Sequence, residues 1–552
     1  MTKRLKMQNI KNIILLIALF AGTAAIAQGD IPGSEVDVVK SVNARLNITE
    51  KVDVTPQLPA LDTTSKKQQY NVVTKTIQVE YLPPKIKPLA DKKERLQKKY
   101  DGYLKAGAGL PISLYGEGSY NFINKKDKHR FGVDLYHYSA NNNKNVENQK
   151  FSNTRGEVNG TYFFDQGFAV KGLLGYETDK VHFFGYNDLN EETGTNFTFD
   201  PSDIEQRIWT LYGSANIFNG ERLALDFNYD AGVDFYLLQD SYAAKERGFA
   251  LKLGATKWIN EAHPLNVKLV TDFTTYNLED KQTLNNFSLM PNFTWHQDRF
   301  KVKLGVNVST NNDNFFFFPD IEANATIIEG IVTAFIGADG SLYKNTFKNL
   351  SDYNPFIESF VDIKNSRNLQ YYGGVKGNIQ GIEYLVQAGY KTVDDLALFQ
   401  LSDQQDSISR FNVLYDTASI VYLKANLEAP IYKGLSLTGS ITQNVFSLEN
   451  EEKPWHLPSF TVSAGARYRT EDNKLLVKAD FFLENGVPYL DLNDEAQNLN
   501  GLFDISLGAE YFFAEKIGGF IQLNNLASNN RQRWQRYPTL GLNALVGITA
   551  RF

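Results

Sequence analysis

The sequence predicts an all-β protein: a transmembrane antiparallel β-barrel of about 22 strands, within a range of roughly 18–22, after a short N-terminal periplasmic extension. Two observations predict it. Strands with one apolar and one polar face recur from about residue 101 to the C-terminus. The breaks between these strands also alternate between short and long.

The two-faced strands show a period of two residues, which is the period of a β-strand. In the segment FKVKLGVNVS, Phe300 and Val302 point to one side, and Lys301 and Lys303 point to the other. The chain ends with another such strand, TLGLNALVGITARF, which alternates up to Phe552. A soluble sheet with one buried face would also explain a single strand of this kind.

The breaks between strands distinguish the two explanations. Outer-membrane barrels have short periplasmic turns and longer extracellular loops, whereas stacked soluble sheets have no reason to alternate. In a barrel the last strand pairs with the first, so it does not fray. The tight breaks fall at 165–167, 219–220, 329–330, 380–381, 433–434 and 471–473. The long polar breaks fall at about 140–153, 187–203, 346–365, 398–408, 488–500 and 527–537.

The N-terminus has the pattern of a secretory signal peptide. Four basic residues precede a short apolar run, and Ala25-Ile26-Ala27 fits a cleavage site, so we expect a signal peptide at 1–27. Cleavage would take the net charge from −6 to −10 by removing those four basic residues. We predict a periplasmic extension at 28–100 and the barrel at 101–552. The protein is thus expected in the outer membrane of a Gram-negative bacterium.

The composition points away from enzymatic chemistry. The chain has no Cys, and its six His show no metal-ligand spacing, so we expect no catalytic residue, cofactor or metal site. An acidic chain does not suit nucleic acid, so no nucleic-acid partner is predicted. Aromatic residues make up 13% of the chain and include 29 Tyr, which suits a membrane interface.

The size, the apparent strand number and the terminal Phe552 resemble TonB-dependent receptor barrels. The segment GYLKAGAG…YGEGSYNF at the barrel entrance resembles a plug-less outer-membrane group often described as TonB-dependent-receptor-like. The resemblance covers most of 101–552. The 73 residues of 28–100 are too few for the family's plug domain, which implies a plug-less barrel. The terminal Phe also resembles the signature that the barrel-assembly machinery recognises.

The strands with the clearest alternation predict a lumen lined mainly by basic residues, and a positive lining favours anions. The alternative is that these residues pair across the lumen or hold the N-terminal extension. The predicted lining is Lys252, Lys268, Lys301, Lys303, Arg467, Arg469, Lys478 and Arg551, against the acidic Asp272, Asp480 and Glu484.

Two functions fit this sequence. The first is passage of a small solute across the outer membrane, in a porin-like or TonB-dependent-receptor-like barrel. The second is a non-transporting accessory barrel that docks other cell-envelope proteins. The expected partners are outer-membrane lipid, the barrel-assembly machinery during biogenesis and an envelope protein that contacts 28–100. The basic run within 85–100 also fits a solvated linker.

Overall fold

In a computed structural model of the protein, 22 strands form one antiparallel sheet that closes on itself. The predicted signal peptide and nearly all of the predicted extension lie outside the described residues, so the predicted domain boundaries stay predictions. The structure describes residues 99–124, 128–220, 226–312, 314–402, 407–528 and 531–552.

The first and last strands close the sheet. Strand β1 (Gly102–Leu110) pairs with β26 (Asn543–Arg551) from Tyr103 opposite Arg551 to Leu110 opposite Ala544. The backbone of Phe552 adds two bonds, because its N–H donates to the Gly102 carbonyl at 3.0 Å and its carbonyl accepts from the Gly102 N–H at 2.9 Å. The predicted 22-strand barrel is therefore confirmed, and closure explains why the last strand stays ordered to its end.

The remaining elements follow in chain order. Among the described residues, two pairs of short strands and two short helices lie in the loops. The barrel strands between β1 and β26 are β2 (Ile112–Asn124), β3 (His129–Asn141), β4 (Lys150–Phe163), β5 (Phe168–His182), β6 (Glu205–Asn219), β7 (Phe227–Asp240), β8 (Lys245–Ile259), β9 (His263–Asn277), β10 (Lys281–Gln297), β11 (Phe300–Asn311), β12 (Asn314–Ile328), β13 (Val332–Asn345), β14 (Lys364–Ile379), β15 (Ile382–Leu401), β16 (Phe411–Tyr432), β17 (Leu435–Leu448), β18 (Phe460–Arg469), β19 (Leu475–Asn485), β22 (Leu502–Tyr511) and β23 (Ile517–Asn524). The loop elements are α1 (Tyr186–Thr193), α2 (Phe347–Tyr353), β20 (Val487–Leu490), β21 (Ala496–Leu499), β24 (Gln532–Trp534) and β25 (Tyr537–Pro538).

The outer face of the barrel is apolar. Val546 and Ile548 on β26 are 64% and 65% exposed, and Phe317 on β12 is 72% exposed. Such exposure of large apolar side chains over a whole sheet face is costly in water and expected in lipid. Phe552 stacks on Tyr120 of β2, with ring centroids 6.2 Å apart. These features make the outer face a lipid-contacting surface.

The two ends of the barrel differ as the sequence predicts. Pro111 alone separates β1 from β2. Several turns at the other end contain a glycine with positive φ, as at Gly330 (68°) and Gly381 (92°), where a side chain would be strained. The long loops join strands at the end opposite these turns, and we assign that end to the extracellular side.

The barrel wall is uneven in height. Strands β1 and β26 each have nine residues, whereas β15 has 20 and β16 has 22. The extra length of β15 and β16 lies at the extracellular end, where Leu398 and Phe399 are buried. Within the described part of the chain, neither helix is long and apolar enough to cross a membrane.

Candidate functional site

Contacts between strands that are not neighbours identify the inner face of the barrel. The Tyr103 hydroxyl on β1 donates to Glu510 Oε2 on β22 at 2.8 Å, and Lys344 Nζ on β13 lies 2.5 Å from Asp272 Oδ1 on β9. Side chains on the convex face of a closed sheet diverge, so contacts across several strands form on the concave face. Asp272, one of the predicted lining residues, therefore points inward.

One predicted basic residue on β8 and one on β11 lie in ion pairs. Lys252 pairs with Asp234, and Lys303 pairs with Asp320. Lys268 lies four residues before Asp272 on β9, and Lys301 lies two residues before Lys303 on β11, so each shares its neighbour's face. The acidic partners lie on β7 and β12, whose charges were not counted in the sequence-based prediction. Pairing lowers the positive potential that the lysines alone would produce.

A second group of predicted residues lies on β18, β19 and β26, which the barrel does not bring next to the first. Arg467 is directly opposite Lys478 in the register, and Asp480 is opposite Gly465. Arg469 is the last residue of β18. The Arg551 guanidinium lies 4.0 Å from the centroid of the Phe512 ring. The role of both groups as a pore lining stays a prediction.

Several inward-facing tyrosine side chains pass over a glycine of the neighbouring strand and reach a polar group on the strand beyond it. The Tyr372 ring on β14 lies over Gly337 of β13, and its hydroxyl donates to Glu322 of β12 at 3.0 Å. The Tyr422 ring lies over Gly389 in the same way, and its hydroxyl is 3.1 Å from the Gln370 side-chain oxygen. A side chain at either glycine would collide with the ring. These crossings tie three consecutive strands together on the polar inner face.

The extracellular loops fold into one compact structure, which we call the lid. Its buried apolar core takes residues from loops and strand ends on both sides of the barrel, so it crosses the extracellular mouth. The sequence predicts long polar loops here but not this core, because the apolar residues of the core are scattered and show no period. The core consists of Phe183, Phe184, Tyr186, Ile204, Leu238, Ala244, Tyr276, Leu284, Phe347, Leu350, Ile357, Val361, Ile363, Phe399, Leu401, Phe411, Trp534 and Tyr537.

The lid hairpin, residues 531–539 with strands β24 and β25, lies at the centre of the lid. Tyr537 is 1% exposed and stacks on Phe356 with ring centroids 3.7 Å apart. Its hydroxyl donates to the Ser409 carbonyl at 3.0 Å, and its ring meets Phe184 edge-on at 5.0 Å. One side chain thus joins three other loops.

Next to Tyr537, a buried arginine joins the lid hairpin to helix α1. Arg536 is fully buried, and its Nε and Nη2 each lie 2.9 Å from Glu192 Oε2. Gln532 donates to Asp188 one turn earlier on the same helix. Burial, and then the nearby charges of Glu191 and Glu192, raise the pKa of Asp188 to about 7. Asp188 therefore titrates near neutral pH in the closed lid.

A second loop, residues 346–363 with helix α2, which we call the strap, is held on the inner wall. Glu246 of β8 is fully buried and accepts from the Phe347 N–H at 2.6 Å and the Lys348 N–H at 3.2 Å. These are free N–H groups of the first turn of α2, which favour a negative charge. Thr346 also caps the helix by accepting from the Asn349 N–H.

The other end of the strap is anchored as well. The Gln282 side chain of β10 donates to the Val361 carbonyl and accepts from the Ile363 N–H, both at 2.9 Å. Backbone bonds between Glu358 and Phe411, at 2.7 Å, and between Phe411 and Phe356, at 3.0 Å, join the strap to β16. The strap is thus bonded to strands on two sides of the barrel.

The lid also holds a buried histidine. Burial lowers the pKa of His456 to about 3, so the ring is neutral at physiological pH. Its Nδ1 lies 2.7 Å from the Phe399 carbonyl, which assigns the proton to that nitrogen, and the ring stacks on Trp534 at 5.5 Å. Arg533 bonds Glu484 of β19 at 2.8 Å and the Tyr353 hydroxyl at 3.0 Å. This arrangement packs the lid around a neutral ring.

The structure gives no sign of a metal centre in the described ranges, where no three or more His, Asp or Glu side chains are grouped to hold an ion. No protein-family model matches the chain, and no curated protein matches it. Its likeness to known proteins is therefore in its fold.

Solved structures with a similar fold are outer-membrane receptors. The FrpB iron transporter from Neisseria meningitidis is 8% identical, with a TM-score of 0.63 over 83% of this chain and 82% of that one. The ferric-catecholate import receptor Fiu from E. coli K12 is 9% identical, with a TM-score of 0.62 over 83% and 82%. FpvA from Pseudomonas aeruginosa, solved with pyoverdines, is 12% identical, with a TM-score of 0.61 over 82% and 72%.

These proteins are TonB-dependent receptors with 22-strand barrels, so the predicted resemblance is confirmed for the barrel. The absence of a plug stays a prediction. Together with the apolar outer face, the fold makes the chain an integral outer-membrane protein with the barrel architecture of the TonB-dependent receptors.

Proposed function

We propose that the barrel carries a small polar solute across the outer membrane and that the lid closes its extracellular mouth at rest. The observation that carries this proposal is the lid, which lies across a barrel of receptor size. A barrel that transports a solute needs a barrier that can open, whereas a barrel that is permanently closed needs no movable part. The similar solved structures are transport receptors, and we propose transport and not an enzymatic reaction.

The inner wall supports a polar cargo. Its charged side chains lie in pairs such as Lys303–Asp320 and Lys344–Asp272. Tyr372 and Tyr422 add further hydrogen-bonding groups. A wall of paired charges keeps water in place without a strong net potential. We therefore expect weaker anion preference than the unpaired lysines predict.

The second candidate is an accessory barrel that docks other envelope proteins. The observation that favours it is the packing of the lid, whose Tyr537, Arg536 and Ile357 are at most 1% exposed. A rigid cap of this kind also suits a docking platform. In both candidates the proposed partners are lipid and the barrel-assembly machinery, with an envelope protein at 28–100.

Liposome swelling distinguishes the two candidates. Purified full-length protein is reconstituted and exposed to neutral sugars of increasing size, and the same is done with a Tyr537→Ala variant. The substitution removes a fully packed ring from the lid centre, so the lid should loosen. Transport predicts size-limited swelling that is faster in the variant than in the unaltered chain.

A matched control is Tyr432→Ala, which removes a tyrosine that is 73% exposed at the periplasmic end of β16. It should leave swelling unchanged. If neither the unaltered chain nor Tyr537→Ala admits any sugar, the accessory function replaces transport. Equal acceleration by Tyr537→Ala and Tyr432→Ala would show that the lid is not the barrier.

A further inference from the structure

The lid consists of two parts that are held differently. The strap receives bonds from the barrel wall itself: Glu246 of β8 and Gln282 of β10 contact its backbone, and Asp240 of β7 contacts Ser359. The strap also pairs with β16 through backbone bonds of Phe411. Moving the strap would break bonds to four strands at once.

The lid hairpin reaches the wall through the ion pair of Arg533 with Glu484 of β19, and its contacts through Gln532, Arg536 and Tyr537 are with other loops. Its side of the contact with helix α1 is formed by the Gln532 amide and the Arg536 guanidinium, which face Asp188 and Glu192. Arg536 also contacts Ser409 Oγ at 3.3 Å. A contact made of side-chain charges and amides can exchange its partners for water, whereas a backbone pairing in a sheet has to unzip.

We propose that the lid hairpin is the moving part of the lid and that its contact with helix α1, made by Arg536–Glu192 and Gln532–Asp188, is the latch that opens. The purpose of this movement depends on the proposed function, but the experiment that tests the movement does not. On opening, Arg536 leaves a fully buried site for water. The strap stays on the inner wall.

The latch contains a group that responds to pH. Asp188 faces Gln532 and Arg536 of the lid hairpin, with Glu191 and Glu192 on its own helix. Tyr489 of β20 also lies close enough to interact electrostatically with Glu192. An aspartate with a raised pKa stabilises the closed form when protonated, and this stability is lost as the pH rises from about 4 to about 7. Acid should therefore keep the latch closed.

Thiol labelling measures the opening directly, because the chain has no Cys of its own. Ser409→Cys places a thiol against the lid hairpin, where Ser409 is fully buried, and Ser359→Cys places one in the strap itself, where Ser359 is 8% exposed. Each variant is reconstituted as the full chain and reacted with a membrane-impermeant thiol reagent. The rate is divided by the rate in denaturant to correct for thiol reactivity.

Glu192→Gln is then combined with each cysteine. Removing the charge that faces buried Arg536 should raise labelling at Ser409→Cys by about tenfold or more, the factor expected from one lost charge-assisted bond. Labelling at Ser359→Cys should stay within about twofold. Asp200→Asn is the control, because Asp200 is exposed in the loop that follows helix α1. It should leave Ser409→Cys labelling nearly unchanged.

Each outcome decides the proposal. Faster labelling at Ser409→Cys alone supports it, whereas equal acceleration at both thiols means that the lid opens as one body and overturns it. No acceleration at either thiol also overturns it. If Glu192→Gln prevents assembly, the unaltered lid still tests the idea, since corrected labelling must be faster at Ser409→Cys than at Ser359→Cys. A reversed order contradicts the proposal. Labelling does not depend on solute passage, so failure of transport leaves this result standing.

Discussion

Leu427 on strand β16 offers a test of which face meets lipid. Leu427 is 45% exposed on the outer face, five residues above Tyr432, which is 73% exposed at the periplasmic end. At about 3.3 Å per residue and a tilt of about 40°, five residues rise about 13 Å, half of an apolar band of about 25 Å. Leu427 therefore lies near the middle of the membrane.

Replacing Leu427 by Arg should strongly lower the free energy of unfolding. A cation at the bilayer midplane of a barrel costs about 2–4 kcal/mol. Loss of the leucine contact with lipid adds about 1 kcal/mol, roughly half the value of a fully buried leucine. We expect a total loss of about 3–5 kcal/mol.

The adjacent Asn426 is the matched control, because it points to the other face. It accepts a hydrogen bond from the Ser440 hydroxyl at 3.0 Å. Asn426→Arg should cost only about 0.5–1.5 kcal/mol, the value of that bond. Urea unfolding of the barrel from lipid vesicles, followed by heat-modifiable migration on gels, gives both values. Equal losses for Leu427→Arg and Asn426→Arg would refute the facing of the strands.

Three further predictions follow from particular contacts. Deleting Phe552 should slow barrel assembly in cells, because its backbone bonds Gly102 and its ring stacks on Tyr120; normal assembly by gel shift would contradict this. Gly337→Ala should lower the free energy of unfolding in urea by about 1–3 kcal/mol, since a Cβ there would lie 2.6 Å from the Tyr372 ring, whereas Gly116→Ala has open space and should be nearly neutral. Asp188→Asn should remove the loss of lid protection between about pH 4 and pH 7, measured by hydrogen exchange of lid amides, and a pH dependence that persists would exclude Asp188 as its source.

The barrel could be predicted from the sequence because lipid and water impose the same two-residue period on strand after strand. The alternation of turns and loops indicated the direction of each strand. These signals are local. The two-residue period can be read within one strand, and the order of the breaks can be read along the chain without knowing which strands pair.

The ion pairs of the inner wall could not be predicted in this way. Lys252 lies on one of the strands whose charges were counted, but its partner Asp234 lies on β7, which was not among them. Counting charges only on some strands therefore left out acidic residues such as Asp234 and Asp320.

The lid was missed for a different reason. Its core joins residues as distant in sequence as Phe184 and Tyr537, and no period connects them. Arg536 looked like one more basic residue in a polar loop, yet it is fully buried against Glu192. A helix such as α1, with eight residues, is too short for its period to stand out.

Single-channel conductance in a planar bilayer tests the central claim most directly. The full-length protein is recorded beside Tyr537→Ala and the outward control Tyr432→Ala. A transporting barrel with a closing lid predicts brief, infrequent openings in the unaltered chain and in Tyr432→Ala, and long openings in Tyr537→Ala. A silent bilayer with all three proteins, each shown to be assembled by its gel shift, would contradict transport and leave the accessory barrel.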